Sequence, residues 1–303
     1  MYAATLATAL MPLAYWVHDL DGVILRINEQ LAVRWYGVAY VGGFLLAWLL
    51  LKIYHKCGRS PLGAEQRADL LTAIIVGVLV GGRLGFILLY DLPETLHDPS
   101  RIIRVWEGGM ASHGGFVGVV LAVIWYARKH KIPVLAFGDI IATLSPPGLL
   151  LGRIANFVNG ELWGRVAEVK HAVIFPEAQQ YPHFQPDGYT VVCEQLGGIL
   201  VNPRHPSQLY EAALEGVLLG IYIQLRFWLT KPVNRKPGQL VGEFLILYAV
   251  LRIFGEQFRE PDYGISPILG LSRGVFYSVF LFGSGLWFVL RPDSKSLATK
   301  LSE

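Results

Sequence analysis

Ionisable side chains recur at helical spacing inside long apolar segments of this chain. Tyr248, Arg252, Glu256 and Arg259 are separated by four, four and three residues, which places them on one face of a helix. An ionisable group inside a membrane is costly unless it faces water or protein, so such a face predicts a polar cavity. An Arg252–Glu256 salt bridge that only neutralises two charges is the alternative, and the spacing fits both.

The densest polar segment is LGRIANFVNGELWGR, residues 151–165, which directly follows an apolar segment broken by two prolines. In it Arg153, Asn156 and Asn159 recur every third residue. Arginine suits a phosphate, because its planar guanidinium donates two parallel hydrogen bonds and stays charged in a low-dielectric site. The segment therefore predicts a site for a phosphate-bearing lipid headgroup. A lone arginine that reaches from a helix end to the membrane surface is the alternative.

A histidine and two glutamates complete the candidate residues. His113 follows Ser112 at the start of a glycine-rich apolar segment, where the serine can cap a helix and the histidine can accept a proton near neutral pH. A hydrogen-bonded structural histidine is the alternative, and the glycines also fit close helix packing alone. Glu211 and Glu215 share one face of a further apolar segment with Gln208.

The segments that carry these residues are long and apolar enough to cross a membrane. The 303 residues are 53% hydrophobic and only 16% charged, with a mean hydropathy of +0.43, which lies outside the range of soluble globular proteins. Seven apolar runs approach the roughly 17 to 25 residues of a transmembrane helix: 33–53, 70–90, 114–128, 132–151, 208–229, 239–258 and 274–290. We therefore predict an all-α polytopic membrane protein whose single integral-membrane domain spans residues 1–303.

The charges between the runs predict the orientation of the chain. Fourteen of the 26 basic residues lie in alternate connections, whereas the opposite connections also carry acidic residues. The positive-inside rule then places the N-terminus outside and the C-terminus in the cytoplasm. The long polar stretch at about residues 160–206 falls on the outer side and predicts a small extracytoplasmic head. The net charge of +3, dispersed in this way, argues against a nucleic-acid partner.

Six motifs follow one another between residues 34 and 262. They are WYG at 35–37, GGR at 81–83, GGMASHGG at 108–115, GRIANFVNGELWGR at 152–165, RHPSQLYE at 204–211 and FGEQFREPD at 254–262. In this order they resemble the prolipoprotein diacylglyceryl transferase family, and the fourth motif is close to that family's signature. The chain departs from the family at Arg34, where a histidine is frequent, and in LSRGVFYS at 271–278, where a Met-Gly-Gln run is usual.

The resemblance implies an enzyme with seven spans in the bacterial plasma (inner) membrane. Such an enzyme carries out the first step of lipoprotein maturation. It transfers the diacylglyceryl group of phosphatidylglycerol to the thiol of the lipobox cysteine of a prolipoprotein, which forms a thioether and releases glycerol phosphate. The resemblance implies no metal ion, no organic cofactor and a monomer. The nucleophile comes from the substrate, which agrees with the position of Cys57 and Cys193 outside every motif.

The resemblance also assigns roles to individual residues. Arg153 and Arg252 match the two arginines of the active cavity, which contact the phosphate of phosphatidylglycerol. His113 matches the histidine proposed as the base that activates the thiol. Further positions expected to bind phosphatidylglycerol are Tyr36, Asn156, Gly164, Glu256 and Arg259.

Other functions fit the same residues. A transporter or flippase for a phospholipid or another anion uses intramembrane arginines to bind a headgroup and makes no covalent product. Phosphoryl transfer on lipid headgroups normally needs grouped carboxylates that hold Mg²⁺, whereas the carboxylates of this sequence are scattered or paired with arginine. In a purely structural alternative, the polar intramembrane residues only pack the helices together.

Overall fold

The computed structural model describes residues 15–28, 32–104, 108–180, 191–193, 196–197, 199–230, 236–261 and 267–292. The chain divides into two units, each built from three separate stretches of sequence. Unit 1 consists of Met1–Gly42, Pro146–Ile221 and Leu245–Gly283. Unit 2 consists of Gly43–Ser145, Tyr222–Phe244 and Ser284–Glu303.

Helices occupy the segments that the apolar runs predict. Their bounds are Trp35–Lys56 (α1), Ala64–Phe86 (α2), Leu92–His97 (α3), Ser112–Lys129 (α4), Val134–Val158 (α5), Ser207–Glu211 (α6), Leu219–Leu229 (α7), Gln239–Gly255 (α8) and Arg273–Leu290 (α9). A π-helical turn, Ile87–Asp91, joins α2 to α3, and a second one, Ala212–Leu218, joins α6 to α7. Short 3₁₀ turns lie at Pro99–Ile102 and Pro176–Gln180.

Five of these helical stretches are long and apolar enough to cross a membrane. Among the described residues they are Trp35–Lys56, Ala64–His97, Val134–Val158, Ser207–Leu229 and Arg273–Leu290. The largely helical architecture therefore agrees with an all-α membrane protein. The expected count of seven spans also requires α4 and α8, of 18 and 17 residues, and stays a prediction.

The fourth apolar run was expected to end at residue 151, beside Pro146 and Pro147, but α5 continues to Val158. A proline removes a backbone N–H and so leaves the carbonyl four residues earlier without its helical partner. For Pro147 that carbonyl belongs to Thr143, and the side-chain amide of Gln224 donates to it over 3.0 Å. Because a neighbouring helix supplies the missing donor, the helix passes through its prolines.

Several helices of unit 2 pack around an apolar core. Its buried residues include Leu51, Tyr54, Leu62, Leu70, Tyr126, Phe137, Ile223 and Phe227. Helices α2 and α4 approach each other closely along a line of glycines. A Cβ atom at Gly118 would lie 1.9 Å from the carbonyl oxygen of Gly77, and one at Gly114 would lie 2.2 Å from that of Gly81. These glycines therefore allow backbone contact between the two helices.

Unit 1 combines helices with short strands. Strand β1 (Trp16–Val17) pairs in parallel with β4 (Val173–Ile174), β2 (Val23–Arg26) pairs antiparallel with β3 (Ala32–Arg34), and β5 (Val191–Cys193) pairs antiparallel with β6 (Ile199–Val201). Strands β4 to β6 lie in the stretch that the sequence predicts as a head, about residues 160–206. Residues 181–190, 194–195 and 198 of that stretch lie outside the described part of the chain.

Candidate active site

Six charged side chains of unit 1 form one cluster of ion pairs, called here the ionic cluster. Its members are Arg153, Glu211, Glu215, Arg252, Glu256 and Arg259. They come from three places in the sequence: the last turns of α5, the α6 helix with its π-helical turn, and the end of α8 with the residues that follow it. The structure thus brings Arg153 together with Arg252, as the resemblance implies.

Arg153 binds two carboxylates at once. Its Nη1 lies 2.7 Å from Oε2 of Glu211, and its Nη2 lies 2.9 Å from Oε2 of Glu215. Its Nε also donates to the same Glu215 oxygen over 3.2 Å. Arg153 is on α5 only because that helix continues through its prolines, so the helix fixes the direction of the guanidinium. The alternative of a lone arginine reaching to the membrane surface does not describe this side chain.

Arg252 binds Glu211 as well, so that this carboxylate lies between the two arginines. Arg252 Nη1 donates to Oε1 of Glu211 over 2.8 Å, and Nη2 lies 2.8 Å from Oε2 of Glu256. Of the two alternatives for the Arg252 face, the structure shows the salt bridge, and the polar cavity stays a prediction. The Arg252–Glu256 salt bridge exists, and it belongs to a larger cluster that also includes Arg259, whose Nη1 lies 3.6 Å from Glu211.

The glutamates are the most deeply placed members of the ionic cluster. The side chains of Glu211 and Glu215 are 1% and 0% exposed, whereas those of Arg153 and Arg252 are 16% and 11% exposed. A buried ion needs a close counter-charge, because desolvation otherwise outweighs every other interaction it makes. The carboxylates therefore lie deeper in unit 1 than the arginine side chains that they bind.

Beside the ionic cluster, amide and hydroxyl groups form a second polar network. The Asn156 side-chain amide donates to Oε1 of Glu161 over 2.8 Å and lies 3.4 Å from the hydroxyl of Tyr36. Asn159 donates to the same Glu161 oxygen over 3.4 Å. The structure therefore brings Tyr36 and Asn156 into contact, and Glu161 links Asn156 to Asn159.

Gly164 lies where three segments of unit 1 meet. Its N–H donates to the carbonyl of His205 over 3.0 Å, and its own carbonyl accepts from Nη1 of Arg204 over 3.1 Å. A Cβ at Gly164 would lie 2.3 Å from the His205 oxygen and 2.7 Å from the carbonyl oxygen of Phe258. A side chain at this position would clash with the backbone of the neighbouring segments, which explains why the residue is a glycine.

Sequence reasoning missed the role of Arg204, which is completely buried. Besides the Gly164 carbonyl, its guanidinium contacts Oε2 of Glu260 at 3.1 Å. Its backbone exchanges two hydrogen bonds of 2.9 Å with Val173 in β4. The signal for this role was the position of Arg204 at the head of the RHPSQLYE motif, but spacing alone does not show which segments a buried arginine joins.

The neighbouring histidine, His205, packs on Tyr210 and Phe258. Its Nδ1 lies 3.2 Å from the Tyr210 hydroxyl, which also lies 2.6 Å from Nε2 of His171. Burial lowers the pKa of His205, and the positive charge that His171 can carry lowers it further. The neutral imidazole is therefore favoured at this position.

His113 belongs to unit 2, where it is exposed on the first turn of α4. It lines an apolar groove of about 970 Å³ between α2 and α4, the floor of which contains the closely packed glycines. The loop before α4 is held by Arg83, whose guanidinium donates to the carbonyls of Gly108 and Gly109 over 2.6 Å and 3.1 Å. Arg83, a charge inside a predicted span, thus fixes the backbone that leads into His113.

Comparisons with known proteins identify what the chain is similar to. A family model described as prolipoprotein diacylglyceryl transferase matches residues 22–291. A phosphatidylglycerol–prolipoprotein diacylglyceryl transferase of Agrobacterium fabrum is 41% identical, covering 97% of this chain and 98% of that protein. Proteins of the same name from Rhizobium meliloti and Ruegeria pomeroyi are 40% and 42% identical and cover 97% and 90% of this chain, respectively. These matches cover 99% and 95% of the two relatives.

Proposed function

The chain belongs to the prolipoprotein diacylglyceryl transferase family, and on that premise we propose that it transfers the diacylglyceryl group of phosphatidylglycerol to prolipoproteins in a membrane. The observation that carries the proposal is the near-complete match to relatives of that name, which are 40% to 42% identical. The apolar helices agree with a substrate that is itself a membrane lipid.

The acceptor is the thiol of a lipobox cysteine. The thiol sulfur attacks the glyceryl carbon that bears the phosphate, a carbon–sulfur bond forms, and the bond from that carbon to the phosphate oxygen breaks. The electron pair of the broken bond stays on this oxygen, so glycerol phosphate leaves, and the thiol proton passes to a base. Because the thiolate is the reactive form and a free thiol has a pKa of about 8.5, a base near the sulfur accelerates the attack.

Arg153 and Arg252 bind the phosphate of phosphatidylglycerol and stabilise the charge that develops on it as the carbon–oxygen bond breaks. Their grouping in one cluster supports this role, as do side chains that are 16% and 11% exposed beside more deeply buried glutamates. Arg259 and Glu256 complete the same cluster. Tyr36 and Asn156 bind the headgroup through their hydroxyl and amide, whereas Gly164 shapes the site through its backbone.

His113 is the base that accepts the thiol proton. Two features support this role: its exposure at the start of α4, and a loop geometry that Arg83 fixes through backbone carbonyls. A general base must be held in place to be effective, and an arginine clamp on the preceding loop serves that purpose. Arg83 acts through the loop and is a positioning residue.

The protein works in the bacterial inner membrane as a monomer with seven spans, α4 and α8 being the two shorter ones. Its N-terminus and the head at residues 160–206 lie outside, and its C-terminus lies in the cytoplasm. The basic residues of the alternate connections support this orientation.

The test is an assay of the purified protein in phosphatidylglycerol micelles with a lipobox peptide. Peptide mass and released glycerol phosphate are followed together. We expect a diacylglyceryl mass gain with one glycerol phosphate per modified peptide, and no gain when the lipobox Cys is replaced by Ser. Folded protein that binds phosphatidylglycerol but yields no mass gain would contradict the transferase function and support lipid transport instead.

A further inference from the structure

The formal charges of the ionic cluster cancel. Its three arginines carry three positive charges, and its three glutamates carry three negative charges when ionised. A site that binds a phosphate was expected to be positive, since arginines attract the anion. The carboxylates of Glu211 and Glu215 instead lie within 2.9 Å of the Arg153 nitrogens that would bind it.

Because these two glutamates are deeply buried, their negative charges act strongly on an anion that binds beside them. With side chains 1% and 0% exposed, they are shielded little by water. In such surroundings the interaction between two charges several ångströms apart is much stronger than in water. Every additional negative charge that enters the cluster is therefore repelled by Glu211 and Glu215 while it is attracted by the arginines.

The proposed reaction changes the charge of the bound phosphate. Phosphatidylglycerol is a phosphodiester and carries one negative charge. When the carbon–oxygen bond breaks, the electron pair remains on the phosphate, and the product is a phosphomonoester. The second pKa of a phosphomonoester is about 6, so glycerol phosphate carries close to two negative charges at pH 7.

We propose that Glu211 and Glu215 make the cluster selective for a singly charged phosphodiester over a doubly charged phosphomonoester, so that the product is released. The proposal rests on the proposed function. With a neutral cluster, the substrate adds one uncompensated negative charge, and the product adds two. The arginines stabilise the leaving phosphate, and the buried carboxylates prevent them from retaining it.

The experiment compares the wild-type protein with Glu215→Gln, which removes one buried negative charge and keeps the shape of the side chain. The inhibition constant of racemic glycerol 1-phosphate and the KM for phosphatidylglycerol are measured at pH 8. At pH 8 we expect Glu215→Gln to tighten glycerol phosphate binding at least about tenfold more than it lowers the KM. Deacylated phosphatidylglycerol is the matched ligand, because it is a phosphodiester with one negative charge; at pH 8 we expect Glu215→Gln to tighten its binding by about twofold or less relative to the KM.

The matched control is Glu243→Gln. Glu243 also pairs with an arginine, since its Oε1 lies 2.7 Å from Arg226, but it belongs to unit 2. The control should leave the ratio of inhibition constant to KM unchanged. If Glu215→Gln does not fold, Glu211→Gln answers the same question, because Glu211 is 1% exposed and binds both Arg153 and Arg252.

An unchanged ratio at pH 8 in a folded variant of the ionic cluster would overturn the inference. An equal tightening of glycerol phosphate and of deacylated phosphatidylglycerol at pH 8 would also overturn it, because the effect would then not depend on the charge of the ligand. Failure of the proposed function looks different: the wild-type protein itself would form no diacylglyceryl peptide in the same assay.

Discussion

The guanidinium of Arg153 makes three separate contacts with two carboxylates, and the geometry of those contacts depends on its planar shape. Lysine carries the same charge at a single point and cannot reach Glu211 and Glu215 in parallel. The two residue types are therefore not equivalent here, although both would neutralise the glutamates. A lysine substitution separates the effect of charge from the effect of geometry.

Arg153→Lys is expected to lower kcat/KM for diacylglyceryl transfer by about 100-fold, which corresponds to about 2.7 kcal/mol of lost transition-state stabilisation. The protein should still fold, because the buried glutamates keep a counter-charge. The rate is measured with the lipobox peptide. Arg226→Lys is the matched control, since Arg226 binds Glu243 through two nitrogens at 2.8 Å and 2.7 Å in unit 2. Equal losses in the two variants would contradict the assigned role of Arg153.

His113→Asn tests the proposed base. Asparagine keeps a polar side chain but cannot accept the thiol proton, and general-base catalysis is commonly worth at least 100-fold. We expect kcat to fall by about that factor and the pH dependence of the remaining rate to change, since the thiol must then ionise without help. The exposed His97 on α3 provides the control variant, His97→Asn. A pH–rate profile in His113→Asn that matches the wild-type profile would exclude the role.

At the scale of elements, the packing of α2 against α4 depends on single glycines. Gly118→Ala would place a Cβ 1.9 Å from a backbone oxygen of Gly77, and backbone cannot move aside as a flexible side chain can. Gly115 is on the same helix, and the nearest atom to a Cβ there lies 3.8 Å away. The two positions therefore differ in packing but share helix type and depth.

We expect Gly118→Ala to destabilise the protein by about 1–3 kcal/mol through overpacking. Gly115→Ala should be neutral or slightly stabilising, because alanine favours a helix over glycine. Thermal unfolding in detergent, monitored by circular dichroism, measures both. Equal melting temperatures for the two variants would show that the glycine contact does not limit the approach of the helices.

The sequence predicts where helices form. It does not predict which helix faces contact each other. The apolar runs at 33–53 and 274–290 overlap the α1 and α9 helices, because the bilayer imposes the length of an apolar membrane helix, and their bounds as spans stay a prediction. The α5 helix extends beyond the apolar run at 132–151, and the donor that replaces the Pro147 N–H comes from Gln224, 77 positions later in the sequence.

The same distinction holds for the candidate site. Helical spacing placed Glu211 and Glu215 on one face of the same helical segment, because side chains of one helix follow one period. It placed Arg252 on a face of a different helix. It did not show that Glu211 lies between Arg153 and Arg252, since nothing in the period of one helix specifies its neighbour. The grouping of Arg153 with Arg252 came from the resemblance alone.

At the scale of the whole molecule, the distribution of apolar side chains is that of a protein surrounded by lipid. Large hydrophobic residues on several helices are more than half exposed, among them Val41, Leu88, Phe116, Leu225 and Trp287. In water such a surface would aggregate, whereas in a bilayer the acyl chains cover it. The exposed helix faces therefore define the surface that contacts the membrane.

Three tryptophans of unit 2 lie close to cations. Lys52 lies 5.3 Å from the ring of Trp48, Lys129 lies 4.9 Å from that of Trp125, and Arg59 lies 5.0 Å from that of Trp228. Tryptophan is enriched at the interface between membrane and water. All these cations belong to the connections that the positive-inside rule assigns to the cytoplasm.

This orientation predicts which positions a membrane-impermeant maleimide can reach. Cys57 is an exposed free cysteine in the first basic connection. In a Cys193→Ser variant, we expect Cys57 in cells with an intact inner membrane to be labelled only after that membrane is permeabilised. In a variant without both native cysteines, Lys170→Cys, at an exposed position of the head, should be labelled without permeabilisation. The reverse pattern would invert the proposed topology.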